Sequence, residues 1–363
     1  MTWFTWRQFR TQAFEVAGVL VALAVAFLIT GLHLYHVYDT AVKHCPGHGD
    51  CGSVISAFEN SNQFLQHFIQ AGGILIPALI GAFWGAPLLA REFESGTFRL
   101  AWTQSVSRTR WLMVKLAVVA LAGVVTEALF TAIATWWARP FDHLNNLPFS
   151  VFDTRDIAPI GYALFAVTLG AVIGLLLRRT VPAMALTFAA FAGVRILFTD
   201  YVRPHFASPL RYTTGFVAPF ESSSGGAPSA IVKSGPNSNA WILSNTTLNS
   251  AGKVIGVNGG LGPNGEFNVS SVGPHRDSIG GLGICPNRFP SPPAHLVGQE
   301  VHVGVDPAMM KAMTTCINSF HLQSVFTYQP ASRFWMFQWY ELGSYVVLSA
   351  LLVSLSVWWI RRR

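Results

Sequence analysis

Six long apolar stretches run along this chain of 363 residues, and basic residues gather on alternate sides of them. Charged residues make up only 11% of the chain, against about 25% in soluble domains. A helix that crosses a bilayer needs about 20 mostly apolar residues. We therefore predict six membrane spans, at residues 14–33, 69–89, 111–137, 159–177, 181–200 and 334–360.

The placement of arginine and lysine predicts which side of the membrane each loop faces, because short cytoplasmic loops are enriched in these residues. They concentrate in four places, which are residues 7–10 before span 1, 91–115 between spans 2 and 3, 178–179 between spans 4 and 5, and 361–363 after span 6. The short loops on the other side hold more acidic than basic residues. The pattern predicts an all-α integral membrane protein with both termini in the cytoplasm.

The net charge of +7 does not indicate nucleic-acid binding. The basic residues flank apolar spans, whereas a nucleic-acid-binding protein gathers them in one patch or stripe. We therefore expect no nucleic-acid partner.

The spans divide the chain into four parts. Residues 1–13, with Trp3, Phe4, Trp6 and Phe9, predict a short interfacial helix; a frayed terminus with anchoring aromatic residues is the alternative. Spans 1 to 5 occupy residues 14–200 and include a cytoplasmic loop at 90–110. Residues 201–333 predict a small, loop-rich α+β extracytoplasmic domain, and residues 334–363 hold span 6 and a basic tail.

The segment 201–333 is rich in glycine, serine, proline and asparagine, which favour turns. Short strands are predicted at 240–243 and 300–305, and an amphipathic helix at 306–323. No histidine has a carboxylate or cysteine partner at a ligand-like spacing, so we expect no metal site.

The four cysteines, Cys45, Cys51, Cys285 and Cys316, all fall in segments predicted to be extracytoplasmic. Disulfides persist in oxidising compartments, and four cysteines allow three pairings. Sequence proximity favours Cys45–Cys51 and Cys285–Cys316, with free thiols as the alternative.

Glu127 and Arg195 lie inside predicted spans 3 and 5. At about 1.5 Å per residue, both sit roughly 20–24 Å from the cytoplasmic face. Charged residues in a bilayer seek partners, so equal depth predicts a Glu127–Arg195 ion pair. A structural brace and a role in the substrate path are both open.

The loop between spans 2 and 3 carries the most specific motif. It runs Arg91-Glu92-Phe93-Glu94-Ser95-Gly96-Thr97-Phe98-Arg99-Leu100, followed by Val106-Ser107-Arg108 and, further on, Lys115. The pattern predicts an amphipathic helix broken at Gly96, with Ser107 capping the next span.

This loop resembles the one between the second and third spans of type-2 ATP-binding-cassette permeases. The six spans and the external insertion resemble the members common in actinobacteria, as do the segments 81–87 and 328–335. The resemblance implies that the loop is a coupling helix that docks on a separate ATP-binding subunit. It assigns that role to Arg91, Glu92, Glu94, Gly96, Thr97, Arg99, Leu100, Ser107 and Arg108.

The sequence contains no G-x-x-x-x-G-K-[ST] motif. We therefore expect a non-enzymatic permease subunit without a cofactor of its own, with ATP and Mg bound by the partner. The resemblance implies a multi-pass protein of the bacterial cytoplasmic membrane, working as a homodimer or a heterodimer with a second permease. It also implies export, and the apolar spans favour an amphipathic or hydrophobic substrate such as a drug, peptide or lipid.

Three other classes remain as alternatives. A secondary transporter would be expected to show inverted repeats, which the chain lacks; a membrane sensor with an external ligand-binding domain is open on the same footing. A membrane enzyme would need a nucleophile motif or a partner for Glu127 at its depth.

Overall fold

The computed structural model describes residues 2–42, 51–96, 107–144, 148–215, 220–221, 229–230, 239–248, 250, 252, 254–258, 321 and 323–362. The chain forms two compact units. One consists of Met1–Phe206 with Phe334–Arg363, and the other is Ala207–Arg333. The sequence analysis placed the first boundary between residues 200 and 201, six residues earlier.

The first unit consists mainly of helices, with turns and bends at residues 152–157. Its helices are α1 (Thr2–Val37), α2 (Cys51–Ile80), α3 (Ala86–Ser95), α4 (Arg108–Leu144), α5 (Ala158–Leu177), α6 (Thr180–Leu197) and α7 (Phe334–Arg362). π-Helical turns at Tyr38–Val42, Gly81–Gly85 and Phe198–Val202 extend α1, join α2 to α3 and extend α6.

Six helical runs are long and apolar enough to cross a membrane, as predicted. They are Phe14–Val42, Val54–Ser95, Arg108–His143, Ala158–Leu177, Thr180–His205 and Ala331–Arg362, and they are called spans 1 to 6 below. The segment 1–13, predicted as an interfacial helix that leads into span 1, is helical from Thr2 and continuous with span 1 in α1. No proline or glycine interrupts α1 before Gly18, so the backbone has no breaking residue there.

Span 4 is the central helix of the bundle. It packs against spans 2, 3, 5 and 6, and 72% of the residues in its most apolar stretch are buried. Ala158–Leu177 contains no charged residue and is rich in glycine and alanine, which let neighbouring helices pack closely around it in a membrane.

Spans 2 and 4 approach each other through glycines. An ideal Cβ built at Gly170 would lie 2.4 Å from the carbonyl oxygen of Gly81, and one at Gly174 would lie 2.3 Å from that of Ala86. A Cβ at Gly85 would lie 2.7 Å from the carbonyl oxygen of Val167. Small residues permit this close backbone contact in membranes, so these glycines serve packing within one chain.

Two apolar clusters mark the ends of the bundle. One holds Trp84, Leu89, Leu112, Leu175 and Ile360 from spans 2, 3, 4 and 6, and we call that end the loop end. The other holds Phe27, Val42, Phe58, Phe130 and Trp137 from spans 1, 2 and 3. It lies toward the opposite end of the bundle, which we call the far end.

The second unit contains a four-stranded antiparallel sheet in the order β1-β6-β4-β5. Its strands are β1 (Leu210–Gly215), β4 (Trp241–Leu248), β5 (Val254–Asn258) and β6 (Gln323–Gln329). β2 (Phe220–Glu221) and β3 (Ser229–Ala230) pair separately. Residues 241–243 of the strand predicted at 240–243 lie in β4.

Several predictions for this segment and for the cysteines concern residues that the structure does not describe. The strand at 300–305, most of the helix at 306–323, and Cys45, Cys285 and Cys316 lie outside the described residues. The side chain of Cys51, which begins α2, also lies outside them, so both disulfides stay predictions.

Candidate functional site: the loop between spans 2 and 3

The loop begins with α3, which ends where the sequence predicts. Gly96 follows Ser95 with φ of +74°, in the left-handed region where glycine avoids the steric cost that other residues meet. The chain is described again from Ser107, whose Oγ accepts a hydrogen bond from the backbone N–H of Arg110 at 3.4 Å. Ser107 therefore caps span 3. Thr97, Arg99 and Leu100 lie outside the described residues.

Glu92 ties α3 to span 3. Its carboxylate forms an ion pair with the Lys115 ammonium group, which is only 3% exposed. The Lys115 Nζ also lies 5.1 Å from the centroid of the Trp111 ring. A buried ammonium group is costly without a partner, so Glu92 serves to balance the charge of Lys115 within this chain.

Glu94 ties α3 to span 5. One of its carboxylate oxygens, Oε2, accepts hydrogen bonds from the Thr180 backbone N–H at 3.0 Å and from Thr180 Oγ1 at 2.6 Å. Thr180 is the first residue of α6. The first N–H groups of a helix have no partner within the helix, so Glu94 supplies one from another helix.

Phe93 lies against the turn between spans 4 and 5. The guanidinium carbon of Arg178 is 5.5 Å from the centroid of the Phe93 ring. Arg178 ends span 4 in the left-handed conformation, with φ of 56°, and donates its backbone N–H to the Gly174 carbonyl. Three successive residues, Glu92 to Glu94, thus contact span 3, the turn after span 4 and the start of span 5.

The loop end of the bundle also carries exposed arginines. Arg91 is exposed, whereas Leu89 and Ala90 are fully buried. Arg108 and Arg110 are also exposed at the start of span 3. The structure therefore leaves an arginine-bearing surface at the loop end while the two glutamates bind within the chain.

The predicted Glu127–Arg195 ion pair is wrong. Arg195 binds Asp153 and Glu341 instead, and neither carboxylate oxygen of Glu127 has a hydrogen-bond partner among the described residues. Span 4 packs against both span 3 and span 5, which barely touch each other. Equal depth therefore did not make the two residues neighbours.

A cluster of four charged residues, of which only Asp153 is partly exposed, lies at the far end of spans 5 and 6. Arg195 Nη1 is 2.8 Å from Glu341 Oε1, and its Nη2 is 2.6 Å from Asp153 Oδ1. Arg203 donates from Nε to Glu341 Oε2 at 2.7 Å and also forms an ion pair with Asp153. Tyr162 of span 4 donates its hydroxyl to Glu341 Oε1 at 2.7 Å. The two arginines and two carboxylates balance in charge, and they join spans 4, 5 and 6 to the segment before span 4.

The electrostatics of Asp153, which precedes span 4, follow from this arrangement. Burial alone would raise the pKa of this carboxyl group, but the guanidinium groups of Arg203 and Arg195 outweigh burial and lower the pKa to about 2. Asp153 therefore stays ionised at ordinary pH. Among the described residues, no group of three or more histidine, cysteine, aspartate or glutamate side chains is placed to hold a metal ion.

The sequence analysis missed this cluster although signals for it exist. Glu341 lies eight residues into span 6 and was not considered, and Arg203 follows the predicted end of span 5 by three residues. Counting depth from the far end of the spans would have placed Arg195 and Glu341 at comparable levels, with Arg203 just beyond the end of span 5.

The fold and this site show a multi-pass helical membrane protein. Its loop between spans 2 and 3 begins with α3, which packs against spans 3, 4 and 5. A protein-family comparison then matches residues 17–203, just over half of the chain, to the family described as ABC-2 membrane transporter related. The chain belongs to that family, which makes it a membrane permease component of an ATP-binding-cassette transporter. No curated protein and no solved structure matches the chain.

Proposed function

We propose that this chain is the permease subunit of an ATP-driven exporter in the bacterial cytoplasmic membrane. A separate ATP-binding subunit would dock on the loop between spans 2 and 3. ATP and Mg would bind to that subunit. The observation that carries the proposal is the attachment of α3 to spans 3, 4 and 5 beside the exposed side chains of Arg91, Arg108 and Arg110. A docked partner would therefore act on several spans at once.

The orientation in this proposal has both termini and this loop in the cytoplasm. Arg91, Arg108, Arg110, Arg179 and Arg361 all belong to segments at the loop end and are exposed. Cytoplasmic loops are rich in such residues. Under this orientation the segment 207–333 is extracytoplasmic.

The transport mechanism we propose is alternating access. Closure of two ATP-binding subunits would displace the loops of two permease halves, identical or not, and rock their spans as rigid bodies. The apolar spans favour an amphipathic or hydrophobic substrate, such as a drug, peptide or lipid.

The test is co-purification of the full-length chain with the ATP-binding protein encoded beside its gene, followed by ATP hydrolysis in lipid nanodiscs. The variant is Arg91→Glu, because Arg91 is exposed and its reversal leaves the contacts of Glu92 and Glu94 in place. We expect the affinity for the ATP-binding protein to fall about tenfold or more, as for other charge reversals at interfaces.

The matched control is Arg361→Glu, which reverses an exposed charge at the same end of the bundle but outside the loop. We expect it to bind like the wild type. If no ATP-binding protein associates with the wild type, or if both variants bind equally well, the docking assignment fails. Transport driven by an ion gradient without ATP would then support a secondary transporter, and ligand binding without transport would support a sensor.

A further inference from the structure

We propose that Glu94 is a positioning residue that links the loop between spans 2 and 3 to the amino terminus of span 5. Displacement of the loop by an ATP-binding subunit would reach span 5 through this carboxylate. The inference rests on the proposed function and adds to it one residue and one span.

Span 5 has no cap of its own. The residue before α6 is Arg179, whose side chain makes no capping hydrogen bond and carries no acceptor atom. Glu94 Oε2 accepts from both the backbone N–H and the hydroxyl of Thr180. Negative charge at a helix amino terminus is also favoured by the helix dipole. The start of span 5 therefore depends on a residue of another span.

The carboxylate of Glu94 sits on a helix that is firmly placed. Leu89 and Ala90 of α3 are 0% exposed, and the carbonyl of Ala86 lies against Gly174 of span 4. Glu92 holds the same helix to Lys115 of span 3. Because α3 is fixed to spans 3 and 4, a force on it is passed to its neighbours and does not simply bend the helix.

Span 5 is less constrained than the helix that caps it. Only 22% of the most apolar stretch of span 5 is buried, against 61% of that of span 2, which contains α3. Its other contact with α3 is apolar packing in a cluster that includes Ala90 and Ala183. The hydrogen bonds from Thr180 to the Glu94 carboxylate are charge-assisted and fixed in direction, whereas apolar packing is not directional, so Glu94 is the directional link between the two helices.

The experiment measures hydrogen–deuterium exchange of the segment 180–186 in the assembled complex in lipid nanodiscs. The ATP-binding subunit carries a substitution that prevents hydrolysis, and exchange is compared without nucleotide and with Mg-ATP. In the wild type we expect ATP to change the exchange of this segment. In Glu94→Ala we expect about fivefold faster exchange without nucleotide, typical of a lost helix cap, and no response to ATP.

Two further variants separate positioning from folding. Glu94→Gln keeps an acceptor oxygen, so we expect it to keep the ATP response. Thr180→Val removes the hydroxyl but not the backbone N–H, so we expect a response between those of the wild type and Glu94→Ala. The segment 108–116 of span 3 should respond to ATP in all three variants, because Glu92 and Lys115 are unchanged.

The outcomes distinguish this inference from the proposed function. Failure of the wild type to bind the ATP-binding subunit removes the proposed function itself. A stable complex in which 180–186 never responds to ATP, or responds equally in Glu94→Ala, overturns the role of Glu94 alone. Loss of binding in Glu94→Ala also overturns it, since Glu94 would then be a docking residue.

Discussion

Arg195 of span 5 and Glu341 of span 6 form a buried ion pair, with 2.8 Å between Nη1 and Oε1. The Glu341 side chain is fully buried, and that of Arg195 is 9% exposed. Arg203 and Tyr162 complete the hydrogen bonding of the same carboxylate. Because charges in a membrane interior are costly unless paired, the last turns of span 5 and the first turns of span 6 are held together by this pair.

Replacement of Glu341 by alanine should strongly destabilise the helical unit. Two buried arginines would then share Asp153 alone, and removal of one partner from a buried ion pair costs about 3–5 kcal/mol. We expect a fall of several degrees in the midpoint of thermal unfolding, measured by scanning fluorimetry in detergent.

The control for Glu341→Ala is Glu15→Ala, which removes an exposed carboxylate of span 1 and should leave the midpoint unchanged. A double variant, Arg195→Met with Asp153→Asn, leaves the pair Arg203 and Glu341 balanced. It should lose less stability than the sum of its single variants. Simple additivity would mean that the four groups do not act as one cluster.

The stabilisation that comes from Asp153 should persist to low pH. The pKa of this carboxyl group is lowered from 3.8 to about 2, so its contribution is fully present above about pH 4 and is lost as the pH falls toward 2. We expect Asp153→Asn to lower the unfolding midpoint by the same amount at pH 8, 6 and 5. The difference between wild type and variant should narrow only below pH 4. A difference that disappears between pH 7 and 5 would mean that the arginines do not hold this carboxylate ionised.

How much of this structure was predictable differs between backbone and side chains. The six spans follow from hydropathy, because a bilayer requires apolar runs of about 20 residues. The end of α3 at Gly96 and the cap at Ser107 follow from local chemistry, since glycine favours the left-handed conformation and serine accepts backbone N–H groups. These predictions depend only on residues near each other in sequence.

Contacts between spans were not predictable in the same way. The partners of Arg195 depend on which helices are neighbours, and depth along a span does not contain that information. The two roles of Glu92 and Glu94 within the chain were also hidden, because Lys115 and Thr180 are 23 and 86 residues away. In both cases the missing information was the arrangement of spans 3, 4 and 5 around each other.

Glu127 should be replaceable without loss of stability. Its side chain is 0% exposed and neither carboxylate oxygen has a partner among the described residues. An unpaired buried carboxyl group opposes folding, so methionine, which has a similar length and no polar oxygen, should keep or raise the unfolding midpoint. Glutamine removes the charge at the same shape and should also be tolerated.

The same position tests the rejected ion pair. The exchange Glu127→Arg with Arg195→Glu should be at least as damaging as Arg195→Glu alone, because the two sites do not meet. Rescue by the double exchange would contradict the structure, as would a marked loss of stability in Glu127→Met.

Gly174→Ala should weaken the packing between spans 2 and 4. The added Cβ would lie 2.3 Å from the carbonyl oxygen of Ala86, closer than real Cβ contacts, and neither backbone can yield without moving a helix. Overpacking of this kind costs about 1–3 kcal/mol. Since α3 begins at Ala86, the same change should also disturb the contact between Glu94 and Thr180.

Gly193→Ala in span 5 is the matched control: nothing lies within 4 Å of its Cβ position, and alanine favours a helix over glycine. We expect the first variant to lower the unfolding midpoint and to speed exchange of the segment 180–186, and the second to do neither. Equal behaviour of the two variants would mean that spans 2 and 4 are not in contact through their backbones.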